Sequence, residues 1–217
     1  MSEGNYFWLH TSDLKSNEWY KVRKGRVSPS RFHACLYDNP YFDTTVEQTA
    51  LVIAGKLKIP IPEDRQEAIN AGINLEPKVR TWYEQKFNKK VKLLNETEYG
   101  VYYKDTRFGG LCDGFVGEDG MIEIKCRGKL SEFLLNSKED CSNIPKYDMY
   151  QMHGYMAIYC RKWCDYLVYC KSEKKIFFQR VFFNEKLWES IYKGLVKFHE
   201  DILDKYLDGD FPIHPNK

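Results

Sequence analysis

Three charged residues in one short stretch have the types and spacing that metal-dependent phosphodiester hydrolysis requires. Asp113 is followed about ten positions later by Glu123, and Lys125 stands two positions beyond Glu123. Mg²⁺ prefers hard oxygen ligands and keeps several waters, so two carboxylates and the backbone carbonyl of Ile124 are candidate ligands. The ammonium group of Lys125 would position or help to deprotonate the attacking water, or stabilise the developing negative charge.

These residues fall in a predicted β-hairpin. Residues 110–117 and 121–126 have the pattern of two short strands around a glycine-containing turn, and Glu118 and Asp119 belong to the turn. Alternation gives the second strand two faces, which are Met121, Glu123 and Lys125 on one side and Ile122, Ile124 and Cys126 on the other. An ion pair between Glu123 and Lys125 on a solvated strand is the alternative interpretation.

The rest of the chain predicts the elements that hold this hairpin. Helical periodicity and strand-forming runs follow one another, with helices over 44–56, 63–88, 147–159 and 185–207, shorter helices near 18–20 and 27–34, and strands over 91–103, 166–170 and 175–183. Pro77 predicts either a kink or the first turn of a new helix, so the helix over 63–88 is expected as one kinked helix or as two pieces. This order predicts an α/β or α+β fold in which helices flank a mixed central sheet.

Composition predicts one soluble domain. The chain has 217 residues, of which 43% are hydrophobic and 29% charged, which is ordinary for a globular protein. No apolar run approaches a membrane span, and residues 1–20 lack the apolar core of a signal peptide. The seven cysteines have no metal-binding spacing, so we expect free thiols in a reducing compartment, the cytoplasm or the nucleus.

A local basic stretch is more informative than the net charge of +2. Positions 21–31 contain no acidic residue and hold five basic ones, which are Lys21, Arg23, Lys24, Arg26 and Arg31. Gly25, Ser28 and Ser30 are interleaved with them, and such small and hydroxyl-bearing residues suit contacts with phosphate groups. A solvated basic surface is the alternative.

The hairpin resembles the metal site of the PD-(D/E)xK nuclease superfamily. Asp113-Gly114 followed by Glu123-Ile124-Lys125-Cys126 is most similar to lambda-type phage and viral alkaline exonucleases, the YqaJ-like family. Cys112 stands where proline is usual, and that proline is not a ligand in the family. The resemblance implies a restriction-endonuclease-like PD-(D/E)xK core.

Two upstream segments match the family in the same order. Residues 19–30 resemble its W-x-x-x-R-x-G-x-(I/V)-(S/T)-x-S motif, which implies that Arg23 and Ser30 bind a 5′-terminal or scissile phosphate. Arginine suits this role because it makes bidentate contacts with phosphate. Residues 72–84 resemble the G-x-x-x-E-x-x-x-R-x-x-(F/Y)-E helix, which implies that Glu76 is a third acidic residue of the active centre.

A downstream segment, residues 147–156, resembles the family helix with a Q-x-Q motif that contacts phosphate or positions the nucleophile. Gln151 matches the first glutamine, and His153 replaces the second. Helical positions two apart point about 200° from each other, so both side chains do not easily face one cleft. We favour Gln151 over His153, with a surface glutamine and a partly buried histidine as the alternative.

Together, these matches imply a DNA exonuclease that depends on Mg²⁺, or on Mn²⁺ in its place, and acts 5′→3′ on double-stranded ends in recombination, repair or viral DNA processing. Its catalytic residues would be Glu76, Asp113, Glu123 and Lys125. One nuclease domain would span residues 1–217, with an N-terminal phosphate-binding part over 1–90, a catalytic sheet over 91–183 and a C-terminal helix over 184–217.

The family analogy also implies possible partners. Some members form homo-oligomeric rings of three copies around DNA, and a single-strand annealing protein is a further expected partner. The alternatives are an endonuclease or a single-strand or RNA nuclease of the same fold, and a DNA-binding recombination partner without catalysis. The intact set of Asp113, Glu123 and Lys125 disfavours the last of these.

Overall fold

A computed structural model describes residues 6–11, 13, 16–37, 44–95, 97–128 and 141–208. Its α-helices are α1 (Asn17–Arg23), α2 (Phe32–Leu36), α3 (Val46–Ile53), α4 (Glu63–Phe87), α5 (Lys146–Tyr159) and α6 (Glu185–Phe198). Its strands are β1 (Tyr6–His10), β2 (Val91–Lys92), β3 (Glu98–Tyr102), β4 (Gly109–Gly110), β5 (Phe115–Val116), β6 (Gly120–Arg127), β7 (Trp163–Cys170) and β8 (Lys175–Phe182).

The strands form two sheets. The central sheet has the order β2-β5-β6-β7-β8, in which β6 and β7 are parallel and every other neighbouring pair is antiparallel. A parallel pair needs a long crossover connection, and α5 lies within the connection from β6 to β7. A smaller antiparallel sheet has the order β1-β3-β4. The predicted mixed sheet flanked by helices is confirmed.

The central sheet is covered on both faces. Ile122 and Ile124 of β6 pack with Val79 and Tyr83 of α4, whereas Met121 belongs to the larger core that includes residues of α5. The two faces predicted from alternation along β6 are therefore confirmed. Covering both faces allows β7 to be buried along most of its length, and it places β6 between two helices.

Helix α4 is a single helix, so the prediction of two pieces is wrong. It runs from Glu63 to Phe87 with Pro77 inside it. Pro77 is exposed, so the carbonyl that loses its helical partner lies on the solvent side, where water replaces the lost hydrogen bond. The helix ends at Asn88, which adopts a left-handed conformation with φ 49°.

Two other predicted boundaries differ, and one strand was not predicted. The strand predicted over 91–103 is two strands, β2 and β3, which belong to different sheets. β1 was not predicted because its partner β3 is remote in sequence. The helix predicted over 185–207 ends at Phe198 and continues as a π-helical turn (His199–Leu203) and a 3₁₀ turn (Asp204–Tyr206).

Two negative observations apply to the residues just described. None of the helices there is both long and apolar enough to cross a membrane. All seven cysteines fall within the described ranges, and each is a free thiol.

A buried ion pair ties α4 to strands β7 and β8. Asp165 is fully buried, and its carboxylate accepts hydrogen bonds from the Tyr83 hydroxyl at 2.5 Å and from Arg180 Nε at 2.6 Å. A buried charge is tolerated when it is paired and hydrogen-bonded. The network therefore fixes the position of α4 on the sheet.

We predict that Asp165→Ala lowers the free energy of unfolding by roughly 3 kcal/mol, because it leaves the guanidinium of Arg180 without its partner. The matched control is Asp119→Ala, which removes an exposed ion pair with Lys162 at 3.1 Å and should cost under about 1 kcal/mol. Urea unfolding of both variants measures the difference. Equal losses would show that the buried network does not stabilise the fold.

Candidate active site

The carboxylate of Asp113 accepts a backbone hydrogen bond from strand β6, just before the neighbouring strand β5 begins. The carbonyl of Gly114 accepts a hydrogen bond from the Ile122 amide at 3.0 Å. The next amide on the same edge of β6, that of Ile124, donates to Asp113 Oδ2 at 2.6 Å. Gly114 has φ 150°, and a Cβ there would lie 2.4 Å from Cγ1 of Val91. A glycine after Asp113 is therefore required for the chain to turn at this point.

The backbone of Ile124 presents a second oxygen at the same edge. In a β-strand, the N–H and C=O of one residue point to the same side. Because the Ile124 amide faces Asp113, its carbonyl oxygen faces that side as well. This position agrees with the predicted role of the Ile124 carbonyl as a metal ligand, which stays a prediction.

Glu123, Lys125 and Gln151 form one hydrogen-bonded group on the face of β6 that α5 covers. Oε1 of Glu123 accepts from Gln151 Nε2 at 2.7 Å and lies 2.8 Å from Lys125 Nζ. Lys125 Nζ also donates to Gln151 Oε1 at 2.8 Å. Glu123 is 1% exposed, so the alternative of an ion pair on a solvated strand does not describe this pair.

Glu76 approaches the same centre from α4. Its carboxylate is partly exposed and accepts from Arg80 Nη2 at 2.6 Å, one helical turn away. Its negative charge is close enough to act on both Asp113 and Glu123. Three carboxylates therefore converge from β6, the segment before β5, and α4.

The electrostatics of this centre oppose its negative charges. Burial, followed by repulsion from Glu123 and Glu76, raises the pKa of the Asp113 carboxyl well above its usual value. Burial also raises the pKa of Glu123, although Lys125 counteracts it. Burial works against the charge of Lys125, but the carboxylates of Glu123 and Asp148 outweigh it and raise the pKa of Lys125. A cation beside Asp113 and Glu123 would lower both raised pKa values.

The oxygen atoms fit a hard divalent cation. Oε2 of Glu123 is buried and has no hydrogen-bond partner, and Asp113 uses Oδ2 to accept from Ile124. Across the described ranges, no three His, Cys, Asp or Glu side chains already stand as a preformed metal-binding group. Carboxylate and carbonyl oxygens are the ligands of Mg²⁺, which retains waters and needs few protein atoms.

Asp148 of α5 belongs to this centre although the sequence did not single it out. It is fully buried, and its Oδ2 accepts from the Tyr166 hydroxyl at 2.5 Å and from Arg127 Nη2. Its Oδ1 lies 3.9 Å from Lys125 Nζ. Its position one helical turn before Gln151 was the only available signal, and the partners Arg127 and Tyr166 are visible only in the folded chain.

The basic stretch lines a separate groove of about 820 Å³. Arg23 lies over the rings of Trp19 and Tyr99, with its guanidinium carbon 4.1 Å and 4.8 Å from their centroids. The hydroxyls of Ser28 and Ser30 are 3.0 Å apart and border the same groove. Stacking between two rings fixes the guanidinium plane.

The groove and the carboxylates are joined by strand β4. Tyr99 of the groove donates to the Gly109 carbonyl at 2.7 Å. Gly110 lies against Pro29, the residue between the two groove serines. Three residues of chain lead from Gly110 to Asp113, which limits the separation of those two to about 11 Å. The segment between the two groove serines therefore contacts the strand that leads to Asp113.

Gln151 and His153 lie on different sides of α5, as their spacing predicts. Gln151 contacts Glu123 and Lys125, whereas His153 is fully buried. The two ring nitrogens of His153 contact the Met149 carbonyl at 2.9 Å and the Asn184 amide at 3.2 Å. Backbone groups therefore engage both ring nitrogens of His153. The phosphate contact predicted for His153 stays a prediction.

Comparisons with known proteins agree with this architecture. A family model described as the YqaJ-like viral recombinase domain matches residues 18–161. An alkaline exonuclease, LHK-Exo from Laribacter hongkongensis, is 22% identical with a TM-score of 0.67, over 88% of this chain and 94% of that one. A phage-related exonuclease from Haemophilus somnus 129PT is 14% identical with a TM-score of 0.60, over 86% of this chain and 98% of that one. No curated protein matches.

We predict that Asp113→Asn stabilises the metal-free protein by an amount on the order of 1 kcal/mol, because an amide keeps the acceptor for Ile124 without the repelled charge. The raised pKa means that the folded wild type binds protons more tightly than the unfolded chain. Its stability should therefore fall as pH rises from the ordinary aspartate pKa through the raised one.

Urea unfolding with a chelator, at several pH values, measures this gain. Asp119→Asn in the exposed turn is the control and should change the free energy of unfolding little. A loss of stability in Asp113→Asn at neutral pH would contradict the proposed charge repulsion.

Proposed function

The chain belongs to the YqaJ-like viral recombinase domain family, and from this premise we propose that it is a divalent-metal-dependent DNA exonuclease acting in recombination. The observation that carries the proposal is the pair of buried carboxylates at β6, where Asp113 is bound by the Ile124 amide and Oε2 of Glu123 has no hydrogen-bond partner. The pKa values of both carboxyls are raised, and a separate groove is lined by cationic side chains of the basic stretch. The names of the two similar exonuclease structures support the same activity.

Asp113, Glu123 and the Ile124 carbonyl would hold the metal ion, and Glu76 would add negative charge from α4. Mg²⁺, or Mn²⁺ in its place, would supply the Lewis acidity that lowers the pKa of water and neutralises the phosphate. The protein contributes the arrangement of these oxygens, since Gln151 and the Ile124 amide orient Glu123 and Asp113 respectively.

Lys125 acts as a positioned cation in this proposal. Its pKa is raised, and its ammonium would donate hydrogen bonds to the attacking water or to the scissile phosphate. The raised pKa supports charge stabilisation over the predicted alternative in which Lys125 deprotonates the water, because a base must give up its proton near neutral pH.

Arg23 and Ser30 would bind a phosphate group of the DNA, with Gln151 aligning the attacked group. The neighbouring cations Lys21 and Arg31 also line the groove and would add sequence-independent attraction to the backbone. A phosphate-binding groove that is connected to the metal ligands through Pro29 and Gly110 suits an enzyme that starts from a duplex end. We therefore propose 5′→3′ digestion of double-stranded ends.

Assembly and partnership are proposals of the same kind. By analogy with the family, three copies would form a ring around the duplex, and a single-strand annealing protein would receive the strand that digestion exposes. Retention of a ring-sized complex in size-exclusion chromatography with light scattering tests the first of these. A monomer at micromolar concentration would exclude it.

We predict that Asp113→Asn and Lys125→Ala each lower digestion of end-labelled linear duplex at least about 100-fold, because each removes transition-state stabilisation. The turn variant Glu118→Gln is the control and should retain wild-type rates. Covalently closed circular duplex should resist digestion. Metal-dependent digestion by either site variant, or efficient cutting of the circle, would contradict the proposal, and product lengths in Mg²⁺ report both results.

We further predict that Arg23→Gln reduces the preference for a 5′-phosphate over a 5′-hydroxyl end. A charged hydrogen bond is worth about 1.5–3 kcal/mol, so the preference should fall roughly tenfold to a hundredfold. Lys171→Gln removes an exposed cation outside the groove and serves as the control. An unchanged preference in Arg23→Gln, measured as the ratio of kcat/KM for the two ends, would remove Arg23 from the phosphate site.

A further inference from the structure

Asp148 holds a carboxylate oxygen that is buried beside Lys125 and makes no hydrogen bond. Oδ2 of Asp148 is occupied by Tyr166 and Arg127, whereas Oδ1 has no hydrogen-bond partner. Lys125 Nζ is the nearby donor, at 3.9 Å from Oδ1. Leaving a buried acceptor unsatisfied is costly, so its persistence in a fully buried residue calls for a use.

Lys125 is held by Glu123, which has a second role as a metal ligand in the proposed function. Its ammonium is bound to Oε1 of Glu123, and Gln151 donates to that same oxygen. Glu123 is a proposed metal ligand. A divalent cation at Glu123 would compete with Lys125 for the carboxylate and would repel its ammonium.

The direction in which Lys125 can move is set by its other partners. Gln151 Oε1 accepts from Nζ at 2.8 Å, and Asp148 Oδ1 lies 3.9 Å from Nζ, farther than Glu123 Oε1. A displacement of Nζ by about 1 Å would bring it within the 2.7–3.2 Å range of an N–H···O hydrogen bond to Oδ1. Gln151 can remain an acceptor during this small movement.

We propose that Asp148 is a positioning residue for Lys125, whose free carboxylate oxygen receives the lysine ammonium when Glu123 binds the metal ion. This inference rests on the proposed function. Arg127 and Tyr166 hold Asp148 by its other oxygen, so Oδ1 stays directed at Lys125. The lysine thus keeps a fixed location and its charge while its first carboxylate partner is engaged.

The kinetic test compares Asp148→Asn with Asp105→Asn, a variant of a second aspartate whose carboxylate is also buried and also accepts from an arginine and a tyrosine, Arg107 and Tyr192. Loss of an outer hydrogen-bonding partner at a metal site typically costs 10- to 100-fold, so we expect kcat of Asp148→Asn on linear duplex to fall at least about tenfold, with KM changed less than about threefold. Asp105→Asn leaves Asp148 and both of its holding partners in place, so it should keep kcat within about threefold of wild type.

Two kinetic outcomes would overturn the inference. One is an unchanged kcat in Asp148→Asn, and the other is an equal loss in Asp105→Asn, which would show that the loss follows from replacing any buried carboxylate. Wild-type protein without any digestion would instead refute the proposed function. The two failures are therefore distinguishable.

A structural test needs no variant and no turnover. A crystal structure of the wild type soaked with Ca²⁺ should show the ion at Glu123 and a distance of about 3 Å between Lys125 Nζ and Asp148 Oδ1. An ion at Glu123 with Lys125 displaced away from Asp148 would overturn the inference even if Asp148→Asn fails to fold. Absence of any ion at Glu123 would refute the metal site instead.

Discussion

The structure depends on one constraint, which is that strand β6 must carry charges while both of its faces are covered by helices. Its α4 face is apolar, with Ile122 and Ile124 in the core. Its α5 face carries Glu123 and Lys125. Burying carboxylates in this way is unfavourable unless partners compensate, and the partners supplied by the chain are incomplete. The buried carboxylates around this strand therefore favour the binding of a cation.

The surrounding helices hold the carboxylates and their partners in place around β6. α5 contributes Gln151 and Asp148 to one face of β6, and the Asp165 network anchors α4, which carries Glu76, on the other. Both helices thereby combine packing with control of the charge. A change in their packing would alter the distances among the carboxylates, so the stability of the core and the geometry of the site are linked.

The sequence predicted the part of the site that is local in the chain. Asp113, Glu123 and Lys125 lie within one hairpin, and alternation alone assigned Glu123 and Lys125 correctly to one face of its second strand. The sequence failed where the structure depends on distant pairing. Strand β1 pairs with β3 across a separation illustrated by the bond from Thr11 to Thr97, 86 positions apart, and no local pattern reports such a partner. The break predicted at Pro77 failed because the ring faces solvent, a fact set by how α4 packs.

Asp148 shows why a site is more than its motif. Near the start of a helix an aspartate is usually explained by the favourable interaction of its charge with the helix dipole. Here its carboxylate instead joins Arg127 and Tyr166 on two neighbouring strands and reaches toward Lys125. Lys125 therefore lies near two carboxylates with different roles, since Glu123 is a proposed metal ligand and Asp148 is bound to Arg127 and Tyr166. With an acceptor on each of them, a long and flexible lysine side chain can be held in one place while the charge around Glu123 changes.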